Sequence, residues 1–258
     1  STATYKHSFS AALYDNVKTN EETIPKDFSF NNDGTSIFVI GDGKNQVVEY
    51  TLSESYNIST ATVANTFSLT TTETTPQGIT FNNDGSKKYI VGFGSAGTTG
   101  TVTEYTLAGN FTISAAASKT STFDVSSQEA SPRGVSFNKL GTKMYITGDN
   151  AVIYEYSLDT AFDFTDTITN TGTTFDVSSQ DSAPKDIMFD KNGGKVYILG
   201  GTNNSIYQYS IDTKSYIEDT STNDGSIDTT YKMQIQLIGD TFVDSGSDSF
   251  DTTNVSIN

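Results

Sequence analysis

The four prolines of this 258-residue chain all occupy one position of an internal repeat. Pro25, Pro76, Pro132 and Pro184 are spaced by 51, 56 and 52 residues, and each opens the same run of sequence. After the proline come an alternating apolar stretch (residues 28–30, 79–81, 135–137, 187–189) and a turn ending in glycine (Gly34, Gly85, Gly141, Gly193). Proline can start a strand because its missing N–H lies outside the ladder. Asn or Asp followed by Gly supplies the local backbone bonding and positive φ that a tight hairpin needs.

The next stretch in each unit (37–41, 88–92, 144–148, 196–200) is nearly continuous in apolar residues, as expected of a strand buried on both faces. A third strand follows at 47–52, 102–107, 153–158 and 206–211. Its period of two puts Tyr50, Tyr105, Tyr156 and Tyr209 on one face and Glu49, Glu104, Glu155 and Gln208 on the other. Fourth strands are expected at 61–69, 120–125 and 172–177. Four short antiparallel strands per unit, repeated at about 50 residues, specify an all-β fold with the blades of a β-propeller.

The fourth unit has no obvious closing strand of its own. Residues 3–10, Ala-Thr-Tyr-Lys-His-Ser-Phe-Ser, align with 61–68, so the N-terminal strand is expected to complete the last of four blades and close the ring. Closure removes free sheet edges. On this reading residues 1–216 form the propeller, and 217–258 form an extension or a degenerate fifth blade. Hydrophobic residues make up only 34% of the chain, with 16 Phe and 14 Tyr as the main large apolar residues, a mixture that suits short strands and polar turns.

The repeat resembles β-propeller proteins carrying an Asp-Gly-x-Lys-x-Tyr-Val/Ile pattern, including surface-layer and lactonase-like propellers. The Phe-Asp-Val-Ser-Ser-Gln…Pro elements are most similar to propeller repeats of tailed-bacteriophage virion proteins. That resemblance implies a non-enzymatic structural or binding component of a virion: a tail-fibre, receptor-binding or capsid-decorating protein. Its partners would be other virion or surface proteins, or a host-surface glycan, with homo-oligomerisation a further expectation. A secreted or cell-surface adhesin or carbohydrate-binding propeller is the alternative, and a lactonase-like hydrolase the third.

Charge bounds the partners. Fifteen Lys and Arg stand against 31 Asp and Glu, a formal charge of −16, so the chain has no basic surface with which to displace counterions from nucleic acid or settle on an anionic membrane. With no cysteine and a single histidine, His7, neither a nucleophilic triad nor a histidine or thiolate zinc site is expected, and no catalytic residue, metal or cofactor is assigned. The glycine cluster at 92–100 does not open a helix and so does not read as a phosphate cradle. Asp240, Asp244, Asp248 and Asp251 lack the spacing of a calcium loop. Glu49, Glu104 and Glu155 recur once per blade and are expected to bond between blades.

One repeat position stands out. The residue after each proline is Lys26, Gln77, Arg133 or Lys185. If the strand after proline is innermost, these side chains meet at one mouth of the channel. There they would either hold an anionic group or form ion pairs with neighbours such as Asp27 and Asp186.

Overall fold

The computed structural model describes residues 22–114, 117–190 and 193–212, and the backbone of Gln234–Leu237. It is an all-β, four-bladed propeller. Sheet 1 comprises β1 (Pro25–Phe30), β2 (Ser36–Gly41), β3 (Gln46–Leu52) and β4 (Ala61–Ser68). Sheet 2 comprises β5 (Pro76–Phe81), β6 (Lys87–Gly92), β7 (Thr101–Thr106) and β8 (Ser118–Asp124). Sheet 3 comprises β9 (Pro132–Phe137), β10 (Lys143–Gly148), β11 (Val152–Leu158) and β12 (Ile168–Asp176). Sheet 4 comprises β13 (Pro184–Phe189), β14 (Lys195–Gly200), β15 (Ile206–Asp212) and β16 (Gln234–Leu237).

The sequence expectation of the closing strand is corrected at β16. Tyr209, Ser210, Ile211 and Asp212 pair with Leu237, Gln236, Ile235 and Gln234, so the outer position of sheet 4 belongs to a C-terminal strand. Residues 3–10 lie outside the described residues. An alternating segment identifies a strand but not its partner, and both ends of the chain offered one. The boundary at residue 216 accordingly falls inside the fourth blade.

Each inner strand carries the same irregularity. The ladder slips between Pro25 and Asp27, Pro76 and Gly78, Pro132 and Gly134, and Pro184 and Asp186. Proline donates no ladder bond, so the following residue bulges out and its side chain is re-aimed toward the channel mouth. The hairpin glycines adopt φ of +71 to +73°. At Gly34, Gly85 and Gly141 an aromatic ring (Tyr56, Phe111, Phe162) lies where a Cβ would stand, with ring atoms at 2.4, 2.2 and 2.0 Å. Glycine is required there twice over, by φ and by contact.

The core lies between sheets. Phe38, Ile40 and Val47 of sheet 1 meet Ile79, Ile90 and Tyr105 of sheet 2. Val91 and Val102 meet Val135, Met144 and Tyr156 of sheet 3, and Tyr145 and Ile153 meet Ile187, Val196 and Tyr209 of sheet 4. Inner strands β1 and β5, β5 and β9, and β9 and β13 run against each other, with no comparable contact from β13 back to β1 among the described residues. Among the described residues the ring has three packed interfaces, and sheets 4 and 1 meet at a seam.

Candidate site at the channel mouth

Of the four residues after the prolines, Gln77, Arg133 and Lys185 are joined by direct bonding and a shared carboxylate, and Lys26 pairs separately. Arg133 donates from Nη1 to Gln77 Oε1 at 2.7 Å, and from Nε and Nη2 to both oxygens of Asp149 at 3.0 and 2.6 Å. Lys185 Nζ lies 3.7 Å from the same carboxylate, and Lys26 Nζ lies 3.1 Å from Asp42. The ion-pair partners are thus Asp42 and Asp149, just past the ends of β2 and β10. Asp27 and Asp186 are not among them; both accept from backbone N–H groups instead. Arg133 is fully engaged by its fork, and its hydrogen bonds hold Asp149 below the usual carboxylate range. Lys26 and Lys185 retain partly exposed side chains and are the two cations available at the mouth.

One residue further along, Asp27, Gly78, Gly134 and Asp186 form a second ring. Glycine is dictated at two of these places by close approach: a Cβ on Gly78 would fall 2.9 Å from the Arg133 carbonyl oxygen, and one on Gly134 would fall 2.7 Å from Asp186 Cα. The two aspartates occupy the flanks of the seam, each following a lysine. Asp27 accepts from Phe28 N at 2.7 Å and, across the interface, from Ile79 N at 2.8 Å. Asp186 accepts from Ile187 N at 2.7 Å.

Part of each side chain is accessible, yet the surrounding protein strongly disfavours a second charge. Burial pushes Asp27 up to about 6, against the pull of its two backbone bonds. Burial, and then repulsion from Asp27, raise Asp186 well above an ordinary aspartate. Two like acids sharing a poorly solvated site separate into one that ionises and one that keeps its proton. The sequence reading assigned no carboxylates to the strand starts in this role, and that is corrected here. The available signal was Pro-Lys-Asp occurring in the first and last units only.

A second repeated acid also escaped notice. Glu22, Glu73, Glu129 and Asp181, each three residues before a proline, are almost completely buried. Glu73 accepts from Thr75, Phe93 and Gly94 N–H groups at 3.1, 3.0 and 2.9 Å. Glu22 clamps Ile24, Gly43 and Lys44 in the same way, Glu129 clamps Ser131 and Asn150, and Asp181 clamps Ala183, Thr202 and Asn203. These acids tie the segment before the proline to the loop after the second strand and so fix the mouth. The glycine cluster at 92–100 is gathered around Glu73 by this clamp.

The third-strand glutamates serve the blade interfaces. Glu104 receives Phe164 N from sheet 3 at 2.8 Å and pairs with Lys87 at 3.1 Å. Glu49 receives Asn65 Nδ2 at 3.0 Å and the backbone of Ile113 from sheet 2, while Glu155 pairs within its sheet with Lys143 at 2.7 Å. Asp33 and Asp84 are spent on Thr35 and Ser86 within their turns. His7, Asp240, Asp244, Asp248 and Asp251 lie outside the described residues, as does residue 217 onward apart from β16. At the opposite channel mouth a cavity of about 730 Å³ is lined by turn residues of all four sheets, including Asn31, Asn83, Asn138 and Asp190.

No family model and no curated protein matches the sequence. Solved structures do resemble the fold. One, from Bacteroides uniformis and bearing the name 6-phosphogluconolactonase, has 12% identity and a TM-score of 0.50, with 83% of this chain covered and 55% of that one. Another of that name, from Bacteroides fragilis, has 15% identity and a TM-score of 0.50, covering 74% and 52%. A Lactobacillus plantarum protein gives 11% identity, a TM-score of 0.50, and coverage of 83% and 55%. The chain spans about half the length of these structures, and at such identity the likeness establishes the fold. The expectation of a non-enzymatic virion component is overturned. Two of the solved propellers of this shape bear the name 6-phosphogluconolactonase, and acids that the sequence reading did not assign stand at the starts of two inner strands.

Proposed function

We propose that the channel mouth is a hydrolytic site acting on a lactone or other carboxylic ester. The observation that carries this reading is that Asp27 and Asp186 flank the seam, each following a lysine, with burial raising both acids and Asp27 raising Asp186 further. Catalytic acids and bases need such separated proton affinities to work in concert near neutral pH. The names borne by the similar propellers agree with this chemistry.

In this scheme Asp27 takes a proton from water as the water oxygen bonds to the acyl carbon. Lys26 and Lys185 sit above the pair and stabilise the negative charge that develops on the carbonyl oxygen. The acyl–oxygen bond then breaks, and Asp186 delivers its proton to the leaving oxygen. A lactone plus water gives a hydroxy acid, and the proton on Asp27 returns to Asp186 or to solvent. Arg133 and Gln77 position Asp149, and through it Lys185.

Asp27→Asn and Asp186→Asn should each lower kcat/KM for lactone hydrolysis by roughly 10²–10⁴-fold, the usual contribution of a placed general acid or base. Wild-type kcat/KM should fall as pH drops below about 6. Undiminished turnover in both variants would sink this assignment.

A further inference from the structure

The repeat supplies its own control for the seam. Directly after each second-ring position, Ile79, Val135 and Ile187 are 3–4% exposed, whereas Phe28 is 60% exposed. On the facing sheet, Leu199 takes the register of Ile40 and Val91 but is 44% exposed where they are fully covered. Ile206 is 71% exposed against 0% for Val47 and Val102. Among the described residues, apolar side chains at positions the other sheets cover are left open at the seam.

They are not open onto a featureless surface. Beside Phe28 runs a groove of about 420 Å³, walled by Phe30, Val39 and Ile58, with Lys26 and Asp27 at its channel end. That volume lies within the roughly 300–1,000 Å³ typical of small-molecule sites. The groove therefore leads from a hydrocarbon wall directly to the proposed base. A polyhydroxylated ring placed there would leave hydroxyls unpaired against Phe and Ile, which disfavours it.

We propose that this groove binds the hydrocarbon tail of the substrate, so that the ester or lactone hydrolysed at Asp27 and Asp186 is amphiphilic: a reactive polar head on an alkyl or acyl chain. The inference rests on the hydrolytic reading of the mouth and adds the class of molecule it takes. The tail lies along Phe28, and the head meets Lys26 and Asp27.

The test is a series of γ-lactones with unbranched tails of increasing length. Each methylene buried is worth about 0.8 kcal/mol, so kcat/KM should rise about fourfold per carbon until the groove is filled. Phe28→Ser, at an exposed position, should cut the long-to-short ratio at least tenfold. Rates independent of tail length, or a preference for a sugar lactone over alkyl lactones, would overturn the inference while leaving the hydrolytic site intact. Calorimetry with the matching non-hydrolysable lactams reads the groove without turnover. Affinity that rises with tail length but no hydrolysis of any lactone would keep the groove and remove the hydrolytic reading; no lactam binding at any length would remove the groove.

Discussion

Replacing Lys88 by methionine should stabilise the protein and abolish part of its pH dependence. Lys88 is fully buried between sheets 1 and 2, at the position held in the other blades by Ile37, Met144 and Val196. Its Nζ has no hydrogen-bond partner and rests 3.3 Å from the centroid of the Phe67 ring and 4.9 Å from that of Tyr105. Desolvation lowers its proton affinity well below that of a free lysine. A buried amine without a partner costs about 1–3 kcal/mol, and the ring contacts offset this only for the charged form. Methionine, with a similar unbranched shape, removes the cost. We expect a gain of at least about 2 kcal/mol at pH 7, or at least about 4–8 °C in Tm for a chain of this size.

The pH slope is the sharper signature. The folded state holds fewer protons at Lys88 than the unfolded chain, so stability rises with pH from the depressed folded value up to the ordinary 10.5. In that window the slope contributed by one group is about 1.4 kcal/mol per pH unit. Denaturant unfolding of wild type and Lys88→Met at intervals between pH 7 and 9.5 should show the difference between them shrinking as pH rises. That range lies below the titration of buried tyrosines such as Tyr105, pushed up to about 12 by burial. A variant less stable than wild type, with an unchanged slope, would show that the amine has a stabilising partner and refute the argument.

Three further outcomes follow from the same geometry. Asp27 and Asp186 have raised folded-state proton affinities, so their contribution to stability is full below about pH 3.8 and declines as pH rises through 6; Asp27→Asn should raise neutral-pH stability and bring Asp186 part of the way back down, as followed by carboxyl-carbon NMR titration. Glu73→Ala, by stranding three buried backbone N–H groups, should cost about 3 kcal/mol in denaturant unfolding, and a loss under 1 kcal/mol would mean that water replaces the clamp. Gly193→Ala meets open space at φ +73° and should cost only the about 1–2 kcal/mol of a left-handed residue, whereas Gly141→Ala must also displace Phe162 and should cost clearly more; equal melting temperatures for the two would contradict the ring contact.

The repeat was legible because it is written in residues whose backbone behaviour is nearly obligatory. Proline at each strand start and glycine at each hairpin located the first two strands of every blade to within a residue or two. The linking of Gln77, Arg133 and Lys185 follows from the same repeat position in adjacent packed blades. The acid pair did not. Asp27 reads as an ordinary strand residue until Gly78 and Gly134 are seen to clear the space around it. The clamp by Glu22, Glu73, Glu129 and Asp181 went unread because a carboxylate before a turn is common, and only burial distinguishes this one. The closing strand was misplaced because periodicity carries no address.

The clamp has a consequence for how such a chain can change. Because the acid three residues before each proline holds the loop through backbone N–H groups alone, it is indifferent to the side chains displayed after the proline. Those positions already differ from blade to blade: Lys-Asp, Gln-Gly, Arg-Gly, Lys-Asp. Architecture and chemistry are thereby written in separate residues of the same short segment. A new function could be composed at the channel mouth one blade at a time through the residue directly after each proline, whereas the next position is free only in the two blades where it is not a close-packed glycine.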